Sequence, residues 1–166
     1  MQTEIHADCE MSTTGYLSRY SRKWLLISSF LAVLILPTVT HAADTAITVW
    51  KSQTCGCCQG WVDYLEDNGF SVRVHNVEGL NEIKRNLGIT DPALHSCHTA
   101  KIGDYLVEGH VPADDIRRMV EEKPDILGIT APGMPMLSPG MHSIEPRDYD
   151  VLQFDADQNT ALFSRY

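Results

Sequence analysis

Residues 46–70 read AITVWKSQTCGCCQGWVDYLEDNGF and predict a strand, a turn with three cysteines, and a helix. The stretch from Ala46 to Ser52 is apolar and β-branched, which favours a strand. After the cysteines, apolar residues recur on one helical face until Asn68 and Gly69, a pair typical of a helix end. The three cysteines are therefore expected at a strand-to-helix turn.

The rest of the chain continues to alternate strands and helices. The predicted elements are a strand 71–77, a helix 80–88, a polar loop 89–99, strands 100–103 and 105–110, and a helix 112–123. This β-α-β-α-β-β-α order is typical of an α/β thioredoxin-like domain, in which a CxxC pair follows the first strand. Segments 131–148 and 149–166 predict a Met/Pro-rich loop and a C-terminal β-hairpin.

The first 42 residues have the features of a secretory signal peptide. Basic residues precede a 13-residue apolar run, Trp24 to Leu36, and small residues follow it, with Thr40 and Ala42 suited to the cleavage site. An uncleaved anchor is the alternative, but a spanning helix needs roughly 20 apolar residues. We expect cleavage, no stable membrane anchor, and a periplasmic location. A start at Met11 would give a signal of more ordinary length.

Residues 43–166 are expected to form a single domain. Removing the signal takes away three basic and three acidic residues, which leaves 10 Lys and Arg against 19 Asp and Glu. The net charge stays at −9. So acidic a chain has no electrostatic footprint for nucleic acid or anionic lipid.

The expected mature chain has four cysteines, Cys55, Cys57, Cys58 and Cys97. Three of them crowd one short segment, where a disulfide closes a loop too short to stabilise the fold much. The cluster therefore indicates chemistry. Cys55 and Cys58 have CxxC spacing, which suits either disulfide exchange or a soft metal. Cys57 is a further ligand, or alternatively a small residue that fills the first helical turn.

Four motifs in order resemble the DUF411 family of small exported metal-binding proteins. They are Gln53 to Cys55 after the first strand, SCHTA (96–100), EGHVP (108–112) and PGMPMLSPGM (132–141). The resemblance extends from about Ile47 to Tyr166. It implies a thioredoxin-like fold and an association with copper.

The resemblance also implies a place for the fourth cysteine. In thioredoxin-like folds, the loop before the third strand lies against the CxxC turn and usually carries a cis-proline. Here this stretch is HTA (98–100), without proline, so a metal has access to the thiols from that side. Cys97 and His98 are then candidate ligands. The alternatives are a buried apolar role for Cys97 and a hydrogen-bonded loop role for His98.

A second set of soft ligands lies in the Met/Pro-rich loop. Met134, Met136 and Met141 stand among prolines that exclude a regular helix or a central strand. Thioether sulfur suits Cu(I) and cannot be lost to a disulfide. Methionines that fill a gap over the core are the alternative.

Two functions remain open from the sequence. The first is an exported protein that binds Cu(I), or alternatively Zn(II), to buffer copper, resist it, or exchange it with a donor or acceptor protein. The second is a thiol-disulfide oxidoreductase that uses Cys55 and Cys58. Phosphate loops, serine elbows and HExxH helices do not occur. Other histidines are weaker candidates: His95 as an outer residue, His110 as a turn residue and His75 as an exposed strand residue.

Overall fold

A computed structural model describes residues 46–141, 143 and 145–166. The predicted signal peptide, residues 1–42, lies outside the described residues, as does His142 of the methionine loop. Within the described part, the chain forms a mixed α/β fold with a seven-stranded sheet and three α-helices.

The bounds of these elements follow the chain. The strands are β1 (Ala46–Lys51), β2 (Ser71–Asn76), β3 (His98–Ile102), β4 (Tyr105–Gly109), β5 (Gly128–Ala131), β6 (Asp150–Phe154) and β7 (Thr160–Arg165). The helices are α1 (Gly56–Asp67), α2 (Leu80–Leu87) and α3 (Ala113–Glu122), and a short 3-10 helix spans Pro92–Leu94.

The strands lie in the order β2-β1-β3-β4-β5-β6-β7. Strand β1 pairs parallel to β2 and antiparallel to β3, while β4 pairs antiparallel to β3 and parallel to β5. The C-terminal pair β6 and β7 is antiparallel, which confirms the predicted hairpin.

The predicted order β-α-β-α-β-β-α is present up to α3, but one strand was missed. Helix α1 begins at Gly56, so Cys57 and Cys58 lie in its first turn. Strand β5 was not predicted, because its four residues give too little periodicity to recognise. Gly128 lets β5 approach β4 closely, since a Cβ there would lie 2.2 Å from the carbonyl oxygen of Leu106.

Apolar side chains cover both faces of the sheet. Leu106 and Val107 are consecutive in β4, and successive strand residues point to opposite faces. Val107 belongs to a large core that includes apolar residues of α1 and α3. Leu106 belongs to a smaller core with Ile89 and Phe154, against which Leu87 of α2 packs. Helices α1 and α3 therefore cover one face of the sheet and α2 covers the other.

The pairing brings four chain segments to one edge of the sheet. The end of β1, the start of β3 and the ends of β4 and β5 meet there, because Lys51 pairs with His98 and Gly109 pairs with Ala131. Each segment continues into a stretch with a soft or imidazole ligand. Across the described residues, we find no helix long and apolar enough to cross a bilayer.

Candidate metal centre

The cysteine turn positions its sulfurs at the start of α1. Cys55 is the N-cap residue, with extended backbone angles (φ −79°, ψ 96°) and no capping side-chain hydrogen bond. Its carbonyl accepts the first helical hydrogen bond, from the Gln59 amide at 3.2 Å. Free backbone amide groups and the positive end of the helix dipole at this position favour the thiolate form of a cysteine.

Four sulfur atoms converge at this turn. Cys55 and Cys58 form a disulfide with Cα atoms 5.3 Å apart, whereas Cys57 and Cys97 are free thiols. The Sγ of Cys97 lies 3.3 Å from that of Cys58, and the Sγ of Cys57 lies 3.6 Å from that of Cys55. All four sulfurs lie within 4.8 Å of one another. Cys58 is fully buried and the other three are half-buried.

His98, the first residue of β3, offers a ring nitrogen to this cluster. Its Nε2 lies 2.9 Å from the carbonyl oxygen of Gly109, which only accepts, so Nε2 donates the hydrogen bond. The lone pair is then on Nδ1, which lies 3.5 Å from the Sγ of Cys97. The ring also packs 4.4 Å from that of Trp61, centroid to centroid. Both contacts fix the orientation of the imidazole.

His110, which directly follows β4, makes the same arrangement. Its Nδ1 donates to the carbonyl oxygen of Pro139 at 2.7 Å, so the lone pair is on Nε2, 3.4 Å from the Sγ of Cys97. Histidines that bind metals usually donate their second ring N–H in this way. Cys97, His98 and His110 together form a second group of ligand atoms within 4.8 Å of one another.

Burial sets the protonation of these groups. It lowers the pKa of His98 well below its usual value, and the charge of His110 adds to the effect. Burial also lowers the pKa of His110, although the hydrogen bond to Pro139 opposes the shift. Burial, reinforced by Cys57, raises the pKa of the Cys97 thiol to about 11. At neutral pH both imidazoles are neutral and Cys97 keeps its proton, which a metal ion displaces on binding.

A buried ion pair holds the backbone on both sides of Cys97 and His98. The ammonium of Lys84 pairs with the carboxylate of Glu108, and both side chains are almost fully buried. The carboxylate accepts hydrogen bonds from the Ser96 amide at 2.6 Å and from the Thr99 hydroxyl at 2.7 Å. Because these two residues flank the candidate ligands, the ion pair fixes the segment that carries them.

Comparison with known proteins gives this site a context. The family model described as "Protein of unknown function, DUF411" matches residues 94–141. A solved structure of the copper resistance protein copG, form 1, is 38% identical with a TM-score of 0.67, covering 73% of this chain and 96% of that chain. The chain belongs to the DUF411 family. A second structure of that protein, form 2, is 39% identical with a TM-score of 0.65. The match covers 73% of this chain and 97% of that chain. No curated protein matches.

The DUF411 match contains one side of the candidate site. Residues 94–141 include Cys97, His98 and His110 and the methionine loop, whereas Cys55, Cys57 and Cys58 precede it. The likeness to the copper resistance protein extends to about three quarters of the chain. In this DUF411 protein, the pairing of β1 with β3 brings both sides of the site together.

Hydrogen bonds and a close packing contact hold the methionine loop of this DUF411 protein beside the cysteines. The Gly133 amide donates to the carbonyl of His95 at 3.2 Å, two residues before Cys97. Pro139 accepts the hydrogen bond from His110. Gly140, with φ +83°, packs closely on α1: a Cβ at this position would lie 2.3 Å from the backbone nitrogen of Trp61.

The methionines of this loop differ in their surroundings. Met134 and Met136 are 53% and 57% exposed, so the alternative that they fill a gap over the core was wrong for these two. Met141 is half-buried and lines a cavity of about 440 Å³ beside Gly60 and Tyr64.

His110 lies at the candidate site, although the sequence indicated only a turn residue there. The two-residue turn between β3 and β4 sets a register that pairs Thr99 with Glu108. Two residues beyond this pair, the side chains of Cys97 and His110 contact each other. This register was the available signal. His95 instead contacts the carbonyl of Ile89, with its Nε2 at 3.4 Å. His75 is exposed on β2, as predicted.

Proposed function

We propose that this protein is an exported copper carrier that holds Cu(I) at the cysteine turn. The proposed ligands are drawn from Cys55, Cys57, Cys58, Cys97, His98 and His110. The observation that carries this proposal is the convergence of four sulfur atoms within 4.8 Å of one another. The likeness to a copper resistance protein supports copper as the metal. The carrier would buffer copper, contribute to resistance, or transfer the ion.

The ligand atoms suit a soft ion. Thiolates select Cu(I), and imidazole accommodates copper and zinc alike. Zn(II) remains the alternative metal, because two thiolates and two imidazoles also make a tetrahedral zinc site. Cys55 and Cys58 are joined in the structure, and a disulfide sulfur is no longer a thiolate. The reduced protein is therefore the form that we expect to bind Cu(I) tightly.

We further propose that the fold is thioredoxin-like and that the protein works in the periplasm. The sheet order β2-β1-β3-β4, with β1 parallel to β2 and antiparallel to β3, supports the first point. The signal-peptide features of residues 1–42 support the second. An extracytoplasmic address is also consistent with copper resistance.

The methionine loop is proposed as an auxiliary or transfer site. Met134 and Met136 are exposed, and the loop that carries them is held beside Ser96 and Cys97. Exposed thioethers would receive Cu(I) from a donor protein, or offer it to an acceptor, without forming disulfides.

Competition with a chromophoric Cu(I) chelator tests the cysteine site. Reduced protein should bind one Cu(I) much more tightly than protein with the Cys55–Cys58 disulfide. Cys97→Ser should weaken binding to the reduced form, whereas His75→Gln, on the exposed side of β2, should leave it unchanged. Equal Cu(I) uptake by reduced and oxidised protein would rule out the site.

The methionine loop needs a separate experiment. Replacing Met134, Met136 and Met141 by Leu should weaken copper binding, or slow its transfer to a chelator, while urea unfolding stays close to that of the wild type. Leu keeps the apolar volume and removes the sulfur. Unchanged copper handling would leave the methionines with a packing or surface role only.

The disulfide favours a second candidate function, a thiol-disulfide oxidoreductase in which Cys55 attacks and Cys58 resolves. The half-buried Cys55 at the helix start and the buried Cys58 match these two roles. Reduction of a disulfide-bonded test protein by the reduced, metal-free chain would support this candidate. Cys55→Ser should abolish that reaction. If the wild-type protein reduces the test protein no faster than Cys55→Ser does, the oxidoreductase function is contradicted.

A further inference from the structure

Two free thiols flank the disulfide, one beside each of its sulfurs. Cys97 lies 3.3 Å from the sulfur of Cys58, and Cys57 lies 3.6 Å from the sulfur of Cys55. Disulfide exchange proceeds by attack of a thiolate on one sulfur of the bond. The oxidised site therefore contains a free thiol in contact with each end of its disulfide.

We propose that Cys97 attacks the sulfur of Cys58 in the oxidised, metal-free protein, so that the site interconverts between a Cys55–Cys58 and a Cys58–Cys97 disulfide. This inference rests on the proposed function only in assigning the freed thiols to a metal; the exchange itself needs the cysteines alone. It makes Cys97 a participant in the redox chemistry of the site as well as a ligand.

The exchange is balanced within the protein. The Cys58–Cys97 bond forms as the Cys55–Cys58 bond breaks, and the bonding electron pair leaves on the sulfur of Cys55. One disulfide and two thiols are present before and after, so no external oxidant or reductant is consumed. The proton that Cys97 gives up is taken up by the Cys55 sulfur, so the net charge of the site is the same before and after.

The burial of Cys58 explains why a thiol of the same protein, and not one from solution, attacks its sulfur. Cys58 is fully buried, so a thiol in solution does not reach its sulfur. Cys97 reaches it because β3 begins directly beside the turn, at His98.

The product differs in its accessible thiols. In the Cys55–Cys58 form, the free thiols Cys57 and Cys97 come from two segments of the chain. In the Cys58–Cys97 form, Cys55 and Cys57 would be free together at the start of α1. Their sulfurs already lie 3.6 Å apart in the Cys55–Cys58 form. The oxidised protein thus keeps a half-buried dithiol that can receive a soft metal ion.

Peptide mapping distinguishes the two forms. Trypsin cleavage after Lys51 and Arg73 releases Cys55, Cys57 and Cys58 on one peptide, and cleavage after Arg85 and Lys101 releases Cys97 on another. Oxidised, chelator-treated protein is incubated in mildly alkaline buffer, quenched in acid, alkylated and digested. We expect a cross-linked pair of peptides to appear with time, with alkylated Cys55 and with the bond at Cys58.

Matched variants identify which cysteines form the new disulfide. In Cys57→Ser the first peptide has two cysteines, so alkylation of Cys55 identifies the Cys58–Cys97 bond directly. Cys97→Ser should keep the Cys55–Cys58 bond and give no cross-link. His75→Gln, on the exposed side of β2, should exchange like the wild type. A rate independent of protein concentration is expected for a reaction within one molecule.

Three results would overturn the proposal. They are a persistent Cys55–Cys58 bond with no cross-linked peptide after hours, a cross-link at Cys55 instead of Cys58, and a rate that rises with protein concentration. Cu(I) binding by the reduced protein is measured separately. Tight binding without exchange would refute this inference and leave the copper function standing, whereas exchange without Cu(I) binding would do the reverse.

Discussion

Glu108 forms a buried ion pair with Lys84, and its carboxylate accepts hydrogen bonds on both sides of Cys97 and His98. Burial raises the pKa of Glu108 and lowers that of Lys84, which shows the cost of desolvating both groups. Such a pair contributes little net stability compared with apolar residues of the same volume. The role of the ion pair is therefore to fix the position of the segment from Ser96 to Thr99, which carries Cys97 and His98.

Lys84→Met should destabilise the oxidised protein by about 3–5 kcal/mol, because it leaves the Glu108 carboxylate buried without its partner. Lys84→Met combined with Glu108→Gln should recover part of the loss. Urea unfolding measures both variants, with Lys101→Met on the exposed side of β3 as the control. A loss no greater than that of Lys101→Met would contradict the assignment.

His110→Gln should lower the Cu(I) affinity of the reduced protein. Residues that merely orient metal ligands already contribute about 10–100-fold in affinity, so loss of a ligand should cost at least tenfold. Chelator competition measures the change, and His75→Gln is the matched control for loss of an imidazole. Identical affinities for wild type and His110→Gln would mean that the thiols alone hold the ion.

Gly140→Ala should detach the methionine loop from α1. A left-handed backbone costs a residue with a Cβ roughly 1–2 kcal/mol, and at Gly140 a Cβ also collides with the Trp61 backbone. Gly69→Ala is the matched control, since Gly69 has φ +84° but nothing within 4 Å of its Cβ position. We expect Gly140→Ala to be the less stable of the two in urea.

The same pair of variants also tests the link between the loop and the site. Gly140 follows Pro139, whose carbonyl orients His110, so Gly140→Ala should also weaken Cu(I) binding. Gly69→Ala, at the far end of α1, should bind Cu(I) like the wild type. Equal stability losses in the two variants would show that the loop does not pack on α1 as described.

The turn between β6 and β7 gives a prediction about pH. The Asp155 carboxylate accepts a hydrogen bond from the Asn159 side chain at 3.0 Å, and this bond is the main cause that lowers the pKa of Asp155. A depressed folded-state pKa contributes stability above the unfolded value, about 3.9 for Asp, and that stability is lost as the pH falls through the folded value.

Asn159→Ala should therefore raise the pKa of Asp155 towards its ordinary value. NMR titration of the Asp155 carboxyl carbon measures the shift directly. Asn81→Ala, on the exposed side of α2, should leave the titration unchanged. An unaltered Asp155 pKa in Asn159→Ala would assign the shift to the backbone amides of the turn instead.

The sequence predicted most of the local structure because strand and helix periodicity is encoded in neighbouring residues. The strand before Cys55, the helix after it and the C-terminal hairpin were all found in this way. Strand β5 was missed because its four residues, Gly128–Ala131, become a strand only through pairing with β4 and β6.

By itself, the sequence determined that soft ligands cluster at a strand-to-helix turn, since CxCC spacing needs no partner to be recognised. Only the tertiary structure decided which groups meet that turn. Antiparallel pairing of β3 with β4 places His110 beside Cys97, and pairing of β1 with β3 brings Cys97 to Cys58. These contacts join residues 13 and 39 positions apart, so they depend on strand register and burial, which local sequence patterns do not encode.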